Sequence, residues 1–295
     1  MLSRVFETEE IPTSWRTTLV KPIPKPQPNP TLPSSKRPIA LMNVFLKLIN
    51  ATVKDRLMEI SDLKDLIPKL SFGFRKNCSS ITCVNYLINS VKDAQASGKL
   101  SMAIFLDMSL AFDSVKLSIL QDKLAKLQIP NKINSWLYAY LHKRRMVLQT
   151  NEGKTSKTIS EGLPQGCPLS PILFNLYTTA LHQIEEEGCI LIQFADDFAV
   201  LVQAETTSTM ERIANNFLKK LKEGIEQLNL KINTTKTAAI IFSRKNINMN
   251  IKLGQDNIQV NNTHKYLGFM LDRLLTHRQH IEYVREREEQ TNYPF

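Results

Sequence analysis

The 295-residue chain has no uninterrupted apolar stretch of the ~18–20 residues that a membrane-spanning helix needs. Its first ten residues are polar and carry Glu7, Glu9 and Glu10, which excludes a secretory signal. Cysteine is scarce: Cys78, Cys83, Cys167 and Cys189 form no CxxC pair and have no histidine at zinc-ligand spacing. They are expected to be free thiols in a reducing compartment rather than a disulfide frame or a zinc site. Internal repeats and long disordered tracts are missing as well. These absences point to a soluble, intracellular, globular protein.

What is present is 42% apolar residues, enough for a sizeable core and for two lobes. The formal net charge of +10 and pI near 9.4 point to an anionic partner, with nucleic acid the first candidate because phosphate binding releases counterions. Residues 21–38 are rich in proline, from Lys21-Pro22-Ile23-Pro24-Lys25-Pro26 to Lys36-Arg37-Pro38, and are expected to be extended and pinned at both ends.

Helical spacing follows at Val44, Leu48 and Val53, and more cleanly at Ile81, Val84, Ile88 and Val91, with Ser79 or Ser80 as N-cap and Gly98 beyond the end. Ser101–Asp107 is predicted as a strand with Asp107 at its C-terminal end. Leu117, Leu120, Leu124 and Leu127 mark a helix stopped by Pro130, and Ile133, Trp136 or Leu137, and Tyr140 a second. Met146–Gln149 and Ser156–Ile159 flank Asn151-Glu152-Gly153 as a hairpin. Met210, Ile213, Phe217, Leu221, Ile225 and Leu228 form the cleanest amphipathic stripe, and Ala238–Phe242 is the next strand. This order predicts an α+β fold with a mainly antiparallel sheet packed against helices on one face.

The chemistry lies in Phe194-Ala195-Asp196-Asp197, which sets two carboxylates between the apolar runs Ile190–Ile192 and Phe198–Val202. Adjacent ionised carboxylates repel, and confining them is costly unless a cation is held there. A hairpin turn that merely contains Asp-Asp is the alternative. If the strand ending at Asp107 neighbours this hairpin, three carboxylates converge, a donor set for Mg²⁺. Two such ions suit an in-line displacement at phosphorus, that is, nucleotidyl transfer. His277 and His280 near Asp272 lack a fourth ligand and are read as structural. Lys143-Arg144-Arg145 is open between template contact and solvated charge.

Taken in order, Arg37-Pro38-Ile39-Ala40-Leu41, Phe72-Gly73-Phe74-Arg75, Ile104–Asp113, Gly162–Pro171, Phe194–Asp197, Asn233–Thr237 and His264–Gly268 resemble the successive motifs of the reverse transcriptase domain of non-LTR retrotransposons, most like the Jockey-type elements. The resemblance implies a right-hand polymerase fold with fingers in 1–100, palm in 101–262 and a primer-grip segment with truncated thumb in 263–295. It implies RNA-directed DNA synthesis with two Mg²⁺ ions, Mn²⁺ as a substitute, dNTPs, an RNA template and a DNA primer, no membrane, and other retrotransposon-encoded proteins as further partners. By the same resemblance Asp107, Asp196 and Asp197 are metal ligands and Lys236 is the proton donor to pyrophosphate. Arg37, Lys25, Phe112, Gln165 and Gly166 would bind the dNTP, with Phe112 excluding the ribose 2′-hydroxyl. Arg75, Tyr266, Leu267 and Gly268 would contact primer or template. Cys167 stands where the family usually has serine.

Nuclear and cytoplasmic location is the expectation for such a ribonucleoprotein. The chain carries no endonuclease domain, little thumb after Glu282 and no Cys/His nucleic-acid cluster, so it resembles a truncated reading frame or a polyprotein fragment. Two other readings stay open: a catalytically weak relic that only binds RNA or DNA, and an RNA-dependent RNA polymerase or intron maturase sharing the palm.

Overall fold

A computed structural model describes residues 2–24, 35–150 and 153–291. The chain divides into two compact units, each assembled from two stretches: Met1–Ile67 with Leu110–Thr179, and Pro68–Ser109 with Ala180–Phe295.

The first unit carries a four-stranded sheet in the order Lys36–Leu41, Thr17–Pro24, Arg144–Thr150, Gly153–Ile159. Proline cannot donate to a strand ladder, and the pairing respects this. The parallel pairing with Arg144–Thr150 ends at Val20, and only beyond it do Pro22 and Pro24 occur, with Pro22 opposite Pro38. The proline-rich segment is thus extended at both described ends, and residues 25–34 lie outside the described residues.

Helices Val44–Leu63, Leu117–Lys126, Asn131–Leu141 and Ser170–Thr178 build the core of this unit. Ser170–Thr178 is buried on every side apart from Pro171, as an all-round apolar helix must be. In Val44–Leu63, capped by the Asn43 side chain, the buried row is Leu46, Ile49, Val53 and Leu57. Val44 and Leu48, which the spacing had placed on the inner face, are 68% and 53% exposed. The apolar residues of this helix therefore occupy two faces, of which the core takes one.

The second unit holds a five-stranded sheet in the order Gln259–Val260, Ala238–Phe242, Leu100–Leu106, Asp197–Ala204, Cys189–Phe194, antiparallel except at Gln259–Val260. The expectation of helices on one face is corrected: Leu100–Leu106 is buried on both. Helix Ser80–Ala96, whose N-terminus is closed by reciprocal Ser79 and Thr82 hydrogen bonds, packs Cys83, Val84, Leu87 and Val91 against Ala103, Phe105, Ala199 and Leu201. The alternate residues Met102, Ile104, Val200 and Val202 face the other way and are fully buried, on the side where helix Thr207–Gln227 runs along Asp197–Ala204. A strand covered on both faces has no polar alternation, which is why these runs are continuously apolar.

Candidate active site

Antiparallel register brings the carboxylates together. Leu106 pairs with Phe198, so one residue further on Asp107 comes opposite Asp197. Phe194 pairs with Asp197 across a two-residue hairpin turn, Ala195-Asp196, in which Ala195 has φ 58°, a backbone conformation that costs a residue with a side chain. Burial, then Asp196, then Asp107 push the Asp197 carboxyl up from 3.8 to about 6. A cation held at this end of the sheet would relieve that repulsion. Among the described residues no three His, Cys, Asp or Glu side chains are already closed around one point. The donors are nonetheless all carboxylate oxygens, the chemistry that Mg²⁺ prefers.

The turn is braced from below. Gln193, the one polar side chain inside an apolar strand, is 1% exposed, and its amide donates to Ala195 O at 2.8 Å while its Oε1 lies 3.0 Å from His182 Nε2. Segment Leu70–Phe72 runs beside it: Gln193 N–H donates to Leu70 O and Phe72 N–H to Gln193 O. Gly73 then presses on the turn so closely that a Cβ there would stand 2.3 Å from Ala195 N. Only glycine fits. Neither Gln193 nor this role of Gly73 emerged from the motifs, although a lone glutamine in an apolar run was a signal for the first.

Lys236 stands with its Nζ 3.9 Å from Asp107 Oδ2, its side chain 60% exposed. It is placed by Asn233, whose N–H donates to Asp107 O at 2.7 Å and whose carbonyl accepts from the N–H groups of Lys236 and Thr237. Asn233 is therefore a positioning residue, a role that its place in the Asn233–Thr237 motif did not by itself reveal.

In the first unit, Gln165 O accepts from Ala40 N–H, which ties the Gly162–Pro171 loop to the strand that carries Arg37. Gly166, at φ 99°, lies against Ala40 and Ile39, and Gln165 is half-buried. Leu163 N–H donates to Phe112 O, and the half-buried Phe112 ring stacks on Phe174 at 4.8 Å. The structure thus brings Arg37, Phe112, Gln165 and Gly166 onto one scaffold. Cys167 is turned inward: its Sγ accepts from Leu169 N–H at 3.4 Å and lies 3.9 Å from Asn50 Nδ2, and burial pushes the thiol up. The serine-to-cysteine departure is a core substitution. All four cysteines are free thiols.

Arg144 meets neither of the readings left open for it. It is 6% exposed, and its guanidinium donates to Leu141 O, Glu161 O and Gly162 O at 2.9, 2.7 and 2.7 Å. It clamps the start of the loop rather than facing solvent or template. Tyr266, expected to contact primer or template, is 3% exposed: its hydroxyl is 3.5 Å from Cys83 Sγ and its ring packs on Phe105. Leu267 and Gly268, both at positive φ, form the tip of the hairpin Thr263–Tyr266/Phe269–Asp272 that Tyr266 anchors. Arg75 donates to Pro68 O at 3.1 Å and so braces its own loop. Lys25 lies outside the described residues.

The histidines near Asp272 are structural. His280 accepts from Met270 N–H and packs on Phe269. Burial raises the Asp272 carboxyl, but donation from the Thr276, Leu274 and His277 N–H groups outweighs it and holds the pKa low.

An antiparallel sheet with three carboxylates at one end and helices on both faces places the chain among proteins of the right-hand polymerase fold. Solved structures agree: the apo telomerase of Candida tropicalis truncated from its C-terminal domain matches with a TM-score of 0.62 and 16% identity, over 93% of this chain and 58% of that one. Telomerase from Candida albicans, in complex with a fragment of telomeric RNA, matches at 0.60 and 12%, over 96% and 51%. The profile of the family described as Reverse transcriptase (RNA-dependent DNA polymerase) matches residues 23–271, and the chain belongs to that family.

Membership implies divalent metal use in general. Among curated relatives, the RNA-directed DNA polymerase from mobile element jockey of Drosophila melanogaster is 27% identical over 97% of this chain and 32% of its own length. The probable RNA-directed DNA polymerase from transposon BS of the same organism is 29% identical over 94% and 32%. The chain therefore spans about a third of these relatives. The non-LTR resemblance read from the motifs agrees with them.

Proposed function

We propose that the chain catalyses RNA-templated addition of dNTPs to a primer 3′-hydroxyl. The observation that carries the reading is Asp107 opposite Asp197, with Asp196 in the strained turn between strands and Lys236 beside Asp107. Asp107, Asp196 and Asp197 would hold two Mg²⁺ ions, which when bound activate the 3′-hydroxyl and neutralise the leaving pyrophosphate. Gln193 and Gly73 keep the carboxylate-bearing turn in one geometry. Lys236 donates a proton to pyrophosphate oxygen as it leaves. Arg37 takes triphosphate oxygens, the Phe112 ring, held flat by Phe174, excludes a 2′-hydroxyl, and Gln165 and Gly166 approach the base pair. Leu267 and Gly268 contact the primer.

An RNA template is supported by charge. Besides the buried Arg144, the four strands of the first unit hold six Lys or Arg residues and no Asp or Glu, and Gly153–Thr158 is exposed along its length, a surface suited to phosphates.

The test is extension of a DNA primer annealed to a heteropolymeric RNA template, with dNTPs and Mg²⁺, by the wild type and Asp196→Ala. Extension by the wild type alone is expected. If neither extends the primer while both bind RNA with a steep salt dependence, the chain is an RNA-binding protein and the polymerase reading fails.

A further inference from the structure

A cavity of about 480 Å³ opens in the second unit beside the strand Ala238–Phe242. It lies apart from the carboxylates: its wall residue Ile241 pairs with Met102, five residues back from Asp107 and roughly 17 Å along the strand. The floor is apolar, with Ile241 and Ile258 almost fully buried, whereas the rim carries Lys245, Asn246, Asn262 and Arg273. No Asp or Glu lines it.

Arg273 sets the chemistry. Its guanidinium donates to Ser243 O at 2.9 Å, to Arg244 O, and to Oδ1 of Asn246 and of Asn262. Every one of these acceptors is an uncharged oxygen, so a fixed positive charge stands at the cavity with no carboxylate among those partners. A guanidinium only donates, so both asparagine side chains must turn their oxygens to it, which leaves their amide N–H groups for another acceptor. Lys245, exposed on the same rim, adds a second cation. The cavity therefore offers donors and positive charge around an apolar floor. A ligand that fits has acceptor-rich, anionic and flat apolar parts together, and the cavity's volume is within the range of small-ligand sites.

We propose that this cavity binds one nucleotide of single-stranded nucleic acid, the base on the Ile258 floor and a phosphate on Lys245 and the Asn246 amide. Flat bases on apolar or aromatic platforms with cations along the backbone are the general way single strands are held. The assignment stands on the cavity alone and does not require the chain to polymerise.

The experiment measures binding of short fluorescein-labelled single-stranded RNA and, in a second arm, DNA of the same sequence, to the full chain, to Lys245→Glu and to Asn248→Asp, which puts a negative charge on another residue of the cavity wall. Both positions are exposed, and thermal melting checks that each variant folds. Affinity should fall about tenfold for Lys245→Glu, with a salt slope shallower by about 0.7 for each phosphate that is no longer neutralised. The arm that responds more strongly identifies the natural strand. Photo-crosslinking of 4-thiouridine RNA should mark residues 244–262. Unchanged affinity and slope in both arms, or crosslinks absent from 244–262, overturn the proposal.

Running Asp196→Ala in parallel separates this from the polymerase reading. Binding sensitive to Lys245→Glu in a chain that extends no primer refutes polymerisation only. Primer extension with binding insensitive to Lys245→Glu refutes the cavity site only.

Discussion

Replacing Gly73 with alanine should damage the carboxylate turn without touching a carboxylate. The added Cβ would lie 2.3 Å from Ala195 N, 3.0 Å from Phe194 C and 3.1 Å from Ala195 Cα, all backbone atoms that cannot rotate away. Carbon prefers non-bonded neighbours at about 3.5–4.0 Å, so the turn or the Leu70–Phe74 segment must retreat by about 1 Å. Overpacking of this kind costs about 1–3 kcal/mol. A displacement near 1 Å of groups that align reacting atoms can lower a rate by about 10²-fold. Single-turnover primer extension should therefore show a rate about two orders of magnitude lower for Gly73→Ala, with a reduced melting temperature and RNA affinity little changed. Gly98→Ala is the control: nothing lies within 4 Å of its added Cβ, and only its φ of 74° resists, at about 1 kcal/mol. If Gly73→Ala extends primers at the wild-type rate and melts unchanged, the close approach of Gly73 is not what holds the turn.

Two further outcomes are expected. Arg144→Met should cost roughly 3 kcal/mol in urea unfolding, because three carbonyls lose a charged donor in a buried place, and Arg144→Lys should recover part of it; an unchanged midpoint would remove Arg144 from the loop's support. Asp197 sets a pH dependence: with its carboxyl raised from 3.8 to about 6, the unfolded chain gives up this proton first, so metal-free protein loses stability as pH rises across that window. Asp197→Asn should flatten this part of the stability profile, and a profile identical to wild type would contradict the assignment.

Much of the site was legible because its parts are local. Asp196-Asp197 between apolar runs, and Asp107 at the end of another, declare strands that carry charge at one end, and the register then joins them. Other features depend on partners far away in sequence. Arg144 looked like one cation in a basic cluster, and only the return of residues 161–162 shows that it is consumed by carbonyls. Tyr266 sits in a motif associated with substrate, yet Cys83 and Phe105, more than a hundred residues earlier, bury it. Val44 and Leu48 have the right spacing for an inner face, but periodicity does not say which of two apolar rows meets the core. The two-sided burial of the sheet was readable in retrospect, since Ile104–Leu106 and Phe198–Val202 show no alternation.

The interleaving of the two units bears on how the chain can be made and dissected. Strand Leu100–Leu106 leaves the ribosome with both edges bare, and its partners are not synthesised until residues 197–204 and 238–242. Through that interval an almost wholly apolar strand must be shielded by other means, because unpaired edges invite aggregation. Asp107 likewise waits some ninety residues for the carboxylates that complete it. Since each unit is assembled from separated lengths of chain, no single cut releases either one whole. Expression of halves would yield fragments with open sheet edges, whereas exposed loop tips within a unit are where labels and insertions belong.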